Sequence, residues 1–241
     1  MNRKAVPAVR ILVTGFGPFP GVPENASAAV VEALALYPAA PGIEHFTGVV
    51  PVVWADARRI AREAAAKVRP HAILHFGVSK RAAGFEIETR AVNMSGPRQD
   101  HAGFVRPGKP LDLSGQRILQ ATMPPYPLLR ALRQSGFPAQ LSRNAGRYLC
   151  NALFYWSLAD AGTDGPLVSF IHMPALGTDV SVRPRMTLEG AAAGAQVLIR
   201  ASAQAVLLAK RNGDGNRGGY GSHGSQALHG TGRHDRRALW R

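Results

Sequence analysis

The sequence predicts a single α/β domain with a mainly parallel central sheet and helices on both faces. Three observations point there. Short apolar runs alternate with longer segments whose apolar residues recur at helical spacing, and strand–helix–strand successions need crossovers that give parallel pairing. The chain has 241 residues, 46% of them hydrophobic, enough for one large core, while no apolar run reaches membrane-spanning length. A histidine also falls at the carboxyl end of an apolar strand, where open α/β sheets place their ligands.

Val9-Arg10-Ile11-Leu12-Val13-Thr14 is the first strand, and it breaks at Gly15-Phe16-Gly17-Pro18-Phe19-Pro20-Gly21. Gly15 and Gly17 fit a dinucleotide fingerprint, but Pro20 stands at the third glycine position and no acidic residue ends a second strand at the required distance. A rigid loop carrying Phe16 and Phe19 is the better description, and the two rings serve either the core or a site. Asn25 or Ser27 caps the next helix, with Ala29, Val30, Val31 and Leu34 on its apolar face. A second strand is expected over 48–53, an Ala/Arg-rich helix over 55–68 and a third strand over 71–77. His71 and His75 have no acidic or thiol neighbours in sequence and read as structural.

Phe85-Glu86-Ile87-Glu88-Thr89-Arg90-Ala91-Val92-Asn93 begins with strict alternation. Extended, it puts Glu86, Glu88 and Arg90 on one face and Phe85 and Ile87 on the other. Spacing alone favours a solvated face with a local ion pair. Residues 95–110 form a loop rich in Gly, Pro and charge that includes Arg98, Asp100 and His101. A helix over 125–134 then leads into Ser142-Arg143-Asn144-Ala145-Gly146-Arg147-Tyr148-Leu149-Cys150-Asn151, which holds the only cysteine.

Pro138-Ala139-Gln140-Leu141 before this stretch reads as a strand, and residues 151–160 after it as a helix. A thiol at such a helix start meets unpaired amides and the positive end of the helix dipole, which favour the thiolate. The competing reading, a small hydrophobe buried in an apolar helix, also fits a lone cysteine. Nucleophilic chemistry needs a histidine and a third group elsewhere. The candidate histidine is His172, which follows the apolar strand Pro166-Leu167-Val168-Ser169-Phe170-Ile171. A closing helix is expected over 186–208.

The formal net charge is +14. Residues 210–241 hold seven Lys/Arg against two Asp, and the remaining excess is spread thinly, without a basic block or interleaved aromatics. Such basicity supports weak phosphate contacts but reads no sequence. The Gly/Arg-rich segment 211–241 has no apolar periodicity and is expected to be a disordered tail beyond a domain spanning 1–210. Its His223, His229 and His234 are too far apart for a convincing metal site. One cysteine excludes an intrachain disulfide and fits a reducing compartment. Met1-Asn2-Arg3-Lys4 precedes too short an apolar segment for a signal peptide, so a cytoplasmic protein is expected.

Four stretches in order resemble the pyroglutamyl peptidase I (pyrrolidone carboxyl peptidase) family of cysteine peptidases. Phe16-Gly17-Pro18-Phe19 is similar to its first loop, and Ala145-Gly146-Arg147-Tyr148-Leu149-Cys150-Asn151 to its nucleophile motif. Phe170-Ile171-His172-Met173-Pro174 is similar to its histidine motif; Glu88, Ala91-Val92-Asn93 and Arg98 match more loosely. The resemblance covers residues 9–208.

It implies a phosphorylase/hydrolase-like α/β fold that removes N-terminal pyroglutamate from peptides without metal or cofactor. Cys150 would be the nucleophile, His172 the base and later acid, and Glu88 the orienting carboxylate. Arg98 and the Cys150 amide would stabilise the oxyanion, and Phe16 and Phe19 would hold the pyroglutamyl ring. The chain departs from the family at Val78-Ser79-Lys80-Arg81-Ala82-Ala83, at Thr89-Arg90 and at Arg143-Asn144, beside the positions of the substrate ring and oxyanion. Two other readings are an altered relative that binds a small acyl or lactam ligand, and an RNA-associated protein acting through the basic tail. Peptides with N-terminal pyroglutamate are the expected partners and no membrane is; nucleic acid is expected at most as weak contact with the tail, and a homo-oligomer stays open.

Overall fold

The computed structural model describes residues 8–177 and 186–217. Among the described residues there are eight strands and five helices, largely interspersed, and six of the strands form one sheet in the order β2-β1-β3-β8-β4-β7. These are β1 (Val9–Phe16), β2 (Ile43–Val50), β3 (Ala72–Val78), β4 (Phe85–Glu88), β7 (Ala139–Ser142) and β8 (Leu167–Met173). Every pairing in this sheet is parallel except β4 with β8. The remaining strands, β5 (Arg90–Val92) and β6 (Ile118–Gln120), form a small antiparallel ladder. The α/β architecture expected from the alternation is therefore present.

The two faces of the sheet follow from its period-two side-chain alternation. Val9, Ile11 and Val13 of β1, Leu74 and Phe76 of β3, and Ile171 and Met173 of β8 join one buried cluster. It is covered by helices α1 (Ala26–Leu36), α3 (Pro125–Gln134) and α5 (Leu188–Arg217). Leu12, Ile73, Val168 and Phe170, one residue out of phase, join a second cluster with α2 (Ala57–Val68) and α4 (Leu149–Ala161). Phe85 and Ile87 of β4 belong to the first cluster, which turns Glu86 and Glu88 toward the α4 side.

Several boundaries differ from expectation. The second strand, expected over 48–53, ends at Val50, because Pro51 has no N–H to continue the ladder. It gains Ile43 to Thr47 instead, paired along the whole of β1. The segment 85–93 is not one strand. It breaks at Thr89, and Arg90 leaves the central sheet for β5, where its Nε donates to the Arg143 carbonyl. The expected solvated face is interrupted, since Glu88 is fully buried while Glu86 and Arg90 stay partly exposed.

The last helix runs past residue 208 to Arg217. The rest of the segment expected to be a disordered tail, 218–241, lies outside the described residues. Contrary to the sequence reading, α5 is long and apolar enough over Leu188–Asn212 to cross a membrane by length and composition. Of the apolar 18-residue stretch within it, 61% is buried inside the protein, as a core helix requires.

Two close contacts position the elements around the site. At Gly15 a Cβ would stand 2.2 Å from the Ser27 carbonyl oxygen, so only glycine lets α1 start against the end of β1. Asn25 caps α1 by accepting from the Ser27 amide, and its Nδ2 donates to the Gly17 carbonyl, holding the aromatic loop to the helix. His71 and His75 are both held structurally. His71 Nδ1 accepts from the Arg10 amide, and His75 lies 2.6 Å from Thr14 Oγ1 and 2.9 Å from Ser157 Oγ.

Burial pushes the His75 pKa down from 6.5 to about 3. The unfolded chain takes up a proton at this position near pH 6.5 and the folded chain does not, so this contribution to stability is complete above that pH and is lost as pH falls toward 3. Urea titrations of His75→Gln and wild type should diverge in that window, with wild type losing up to about 1.4 kcal/mol more per pH unit. Parallel pH profiles would show that His75 does not carry the linkage.

Candidate active site

Three elements of the α4 side converge on one cleft. The phase of β8 that buries Phe170 against α4 also turns His172 to that side. The antiparallel β4 lies alongside, with Glu86 opposite His172 and Glu88 opposite Phe170. Helix α4 begins at Leu149, placing Cys150 in its first turn. Gly146 precedes it with φ of 79°, in the left-handed region that glycine tolerates. Tyr148 occupies the N-cap position in an extended conformation without a side-chain cap, so the first-turn amides beside Cys150 remain available for a ligand.

Cys150 is half-buried, and Gly77 makes room for it. A Cβ at Gly77 would stand 3.2 Å from Cys150 Sγ and 2.9 Å from the Phe170 ring. Gly77 is paired with His172 in the β3–β8 register, so one strand end supplies the gap and its neighbour the imidazole.

His172 Nδ1 lies 2.8 Å from Glu88 Oε1, and Glu88 Oε2 accepts from the Asn144 amide at 3.1 Å. An ionised carboxylate only accepts, so Nδ1 carries the proton of this bond and Nε2 is the nitrogen left for Cys150. Burial pulls the His172 pKa down, but the hydrogen bonds and negative charges of Cys150 and Glu88 outweigh it and raise the value from 6.5 to about 10. Both partners thus favour the protonated, cationic ring.

Periodicity does not choose between Glu86 and Glu88, and the geometry separates them. Glu86 is half-exposed and its Oε1 accepts from Gln140 Nε2 at 2.8 Å. The Glu86, Glu88 and His172 ligand atoms lie within 4.8 Å of one another, the one such group among the described residues that could hold a cation. His172 Nδ1 and both Glu88 oxygens are already committed within the protein.

The cleft enclosing these groups measures about 700 Å³, and Phe16, Phe19, Arg98, Tyr148, Cys150 and His172 all line it. Every site residue expected from the sequence except Glu88 reaches its surface; Glu88 lies behind His172. The two phenylalanines are not equivalent. Phe16 is 3% exposed and packs 6.3 Å from the Phe170 ring centroid, whereas Phe19 is only partly buried. The Arg98 guanidinium lies over both Phe19 and Tyr148, 5.2 and 4.9 Å from their ring centroids.

Sequence reasoning gave Tyr148, Gly77 and Asn144 no role. Tyr148 donates its hydroxyl to the Gln99 carbonyl, which ties the start of α4 to the loop carrying Arg98; burial pushes its pKa up to about 12. Its position directly before the helix was the available signal. Asn151 bonds the Val92 amide and the Val92 and Met94 carbonyls, fastening β5 to α4.

The chain resembles known proteins over most of its length. The family model described as pyroglutamyl peptidase matches residues 9–205. Pyrrolidone-carboxylate peptidase of Vibrio vulnificus is 32% identical over 193 residues, covering 79% of this chain and 91% of the relative. The Mycobacterium marinum protein of that name is 32% identical over 207 residues, 81% of this chain and 92% of its own. A crystal structure of Bacillus amyloliquefaciens pyroglutamyl peptidase I superposes with a TM-score of 0.76 at 25% identity, covering 81% of this chain and 97% of that one.

His172 should titrate near pH 10 when followed by NMR of its ring protons. Glu88→Gln removes a charge and an acceptor and should lower that midpoint by at least about one pH unit. Glu86→Gln should leave it in place. A midpoint that moves only in Glu86→Gln would transfer the partnership to Glu86.

Proposed function

Because the chain belongs to the pyroglutamyl peptidase family, we propose that it hydrolyses the amide bond after an N-terminal pyroglutamyl residue, with Cys150 as nucleophile and His172 as base and acid. The observation that carries this reading is the 2.8 Å bond from His172 to the buried Glu88, with Cys150 on the other side of the ring at the start of α4.

The thiolate of Cys150 attacks the carbonyl carbon joining pyroglutamate to the next residue. Negative charge develops on the carbonyl oxygen, where the unclaimed first-turn amide at Cys150 and the Arg98 guanidinium stabilise it; a donor of this kind is typically worth about 3 kcal/mol. As the tetrahedral intermediate collapses, the carbon–nitrogen bond breaks and His172 gives its proton to the departing amine. The resulting thioester is cleaved by water, which gives a proton to the now neutral His172 and its oxygen to the acyl carbon. Pyroglutamate leaves and the thiolate–imidazolium pair is restored. Glu88 keeps the tautomer and orientation of His172 throughout.

Phe16 and Phe19 present apolar surface to the lactam, with Phe19 on the exposed side. This chemistry requires neither metal nor cofactor. The catalytic unit falls within residues 1–210, and a single unpaired cysteine suits the reducing cytoplasm.

A chromogenic pyroglutamyl amide tests the proposal. Wild type should release the chromophore and Cys150→Ser should not. Glu88→Gln should remain folded but lose kcat by up to about 10⁴-fold, the scale of tautomer loss in a Ser-His-Asp triad. Phe19→Ala should mainly raise KM, as a loss of uniform binding does. Phe16→Ala should lower thermal stability as well, since it opens a cavity beside Phe170. A folded wild-type protein whose Cys150 is alkylated rapidly yet which leaves the amide intact would refute the assignment.

A further inference from the structure

The rim of the cleft is strongly cationic. Lys80, Arg81, Arg98 and Arg147 line it and are exposed, against a single lining carboxylate, Glu86, which already accepts from Gln140. Among the described residues none of the four cations forms an ion pair. Arg98 lies over the Phe19 and Tyr148 rings and is assigned above to the oxyanion, which leaves Lys80, Arg81 and Arg147 as unneutralised charges at the mouth. Their side chains are long and solvated, so they can reach a ligand without the cost of desolvating a buried charge.

The topology gives these charges a direction. Phe16 and Phe19 belong to the end of β1 and its loop, on one side of β3. Lys80 and Arg81 follow Gly77 by three and four residues, on the connection from β3 to β4. That connection must pass β8, which lies between β3 and β4, and the Ser79 amide donates to the Met173 carbonyl as it does so. The aromatic wall therefore lies on the β1 side of β3 and the cationic loop on its β8 side, flanking the strand ends where Cys150 and His172 meet. A pyroglutamyl ring against the aromatic wall directs the leaving peptide toward Lys80 and Arg81.

We infer that the cleft selects substrates whose leaving portion carries a carboxylate next to the scissile bond. That carboxylate is either an acidic side chain on the residue after pyroglutamate or the C-terminal carboxylate of a two-residue substrate. The inference rests on the peptidase reading above. It adds a preference that Lys80 and Arg81 impose through charge rather than through the reacting atoms.

The test uses full-length protein and four compounds: pyroglutamyl-Glu amide, pyroglutamyl-Lys amide, pyroglutamyl-Ala amide and pyroglutamyl-Ala free acid. At low ionic strength kcat/KM for the Glu amide should exceed that for the Lys amide by about tenfold, the low end of electrostatic steering. The ratio should shrink in roughly 0.5 M salt, where screening acts within a few ångströms. Lys80→Glu/Arg81→Glu, two exposed changes, should reverse it. A free acid cleaved faster than the Ala amide assigns the preference to a terminal carboxylate, whereas a gain confined to the Glu amide assigns it to the side chain. Cleavage of all four at similar rates, or a Glu/Lys ratio unchanged in the double variant, would overturn the inference while leaving the peptidase reading intact. Cleavage of none would overturn both.

Discussion

The hydrogen bond between Glu88 and His172 is buried, charged and reached from two different strands, and much of the domain can be read as the means of keeping it. A carboxylate taken fully out of water is costly unless its lone pairs are met. Here one oxygen faces His172 Nδ1 and the other the Asn144 amide. The second contact comes from the turn that follows β7, so the edge of the sheet helps hold a charge near its middle. Supplying the carboxylate this way requires β4 to run antiparallel beside β8, the one such pairing in the central sheet. The antiparallel strand brings Glu86 and Glu88 alongside the end of β8 on the α4 face, while Phe85 and Ile87 anchor the opposite face in the core.

Close packing around Cys150 is the second constraint. Gly77, Phe170 and the sulfur share a space that one added methyl would overfill. Phe170 in turn touches Phe16, His75, Phe154 and His172 through ring contacts. The ring that supports the imidazole is thus also the centre of the aromatic packing between α4 and the sheet. Displacing it would cost core stability and site geometry together, because interiors relax only partly around a lost or added group. Phe19 stands outside this arrangement, on the cleft side of the loop, where it can contact a ligand without carrying the core.

Much of this was legible in the sequence. The period-two and helical patterns located most elements, α3 to the residue, and placed Cys150 at a helix start and His172 at a strand end. Two kinds of feature escaped. Strand limits depended on partners distant in sequence, as where β2 extends back to Ile43 because β1 offers eight residues to pair with. The choice between Glu86 and Glu88 was also hidden. Both residues share a face, and although the register of β4 against β8 sets Glu86 opposite His172, it is the carboxylate of Glu88, opposite Phe170, that meets the imidazole. Local alternation alone pointed to a solvated surface, and the antiparallel neighbour turned that surface into the least exposed part of the site. Family resemblance singled out Glu88 where periodicity did not. Gly77 and Tyr148 escaped for a similar reason, since their neighbours in space are far away in the chain.

The site therefore works in two electrostatic regimes. The Glu88–His172 pair sits in a low-dielectric interior, where salt in solution screens little and the interaction is set by geometry. Lys80, Arg81 and Arg147 stand at the solvent boundary, where the same charges act over a longer reach but fade as ions accumulate. A net charge of +14 spread over the chain adds a background that draws anions toward the molecule without choosing among them. Selectivity has to come from cations placed where the substrate must pass, and the β3–β4 connection occupies such a place. Added salt should then act on the proposed choice of peptide while the step proposed for Cys150 remains governed by the buried pair, because the two sets of charges share a cleft but not a dielectric environment.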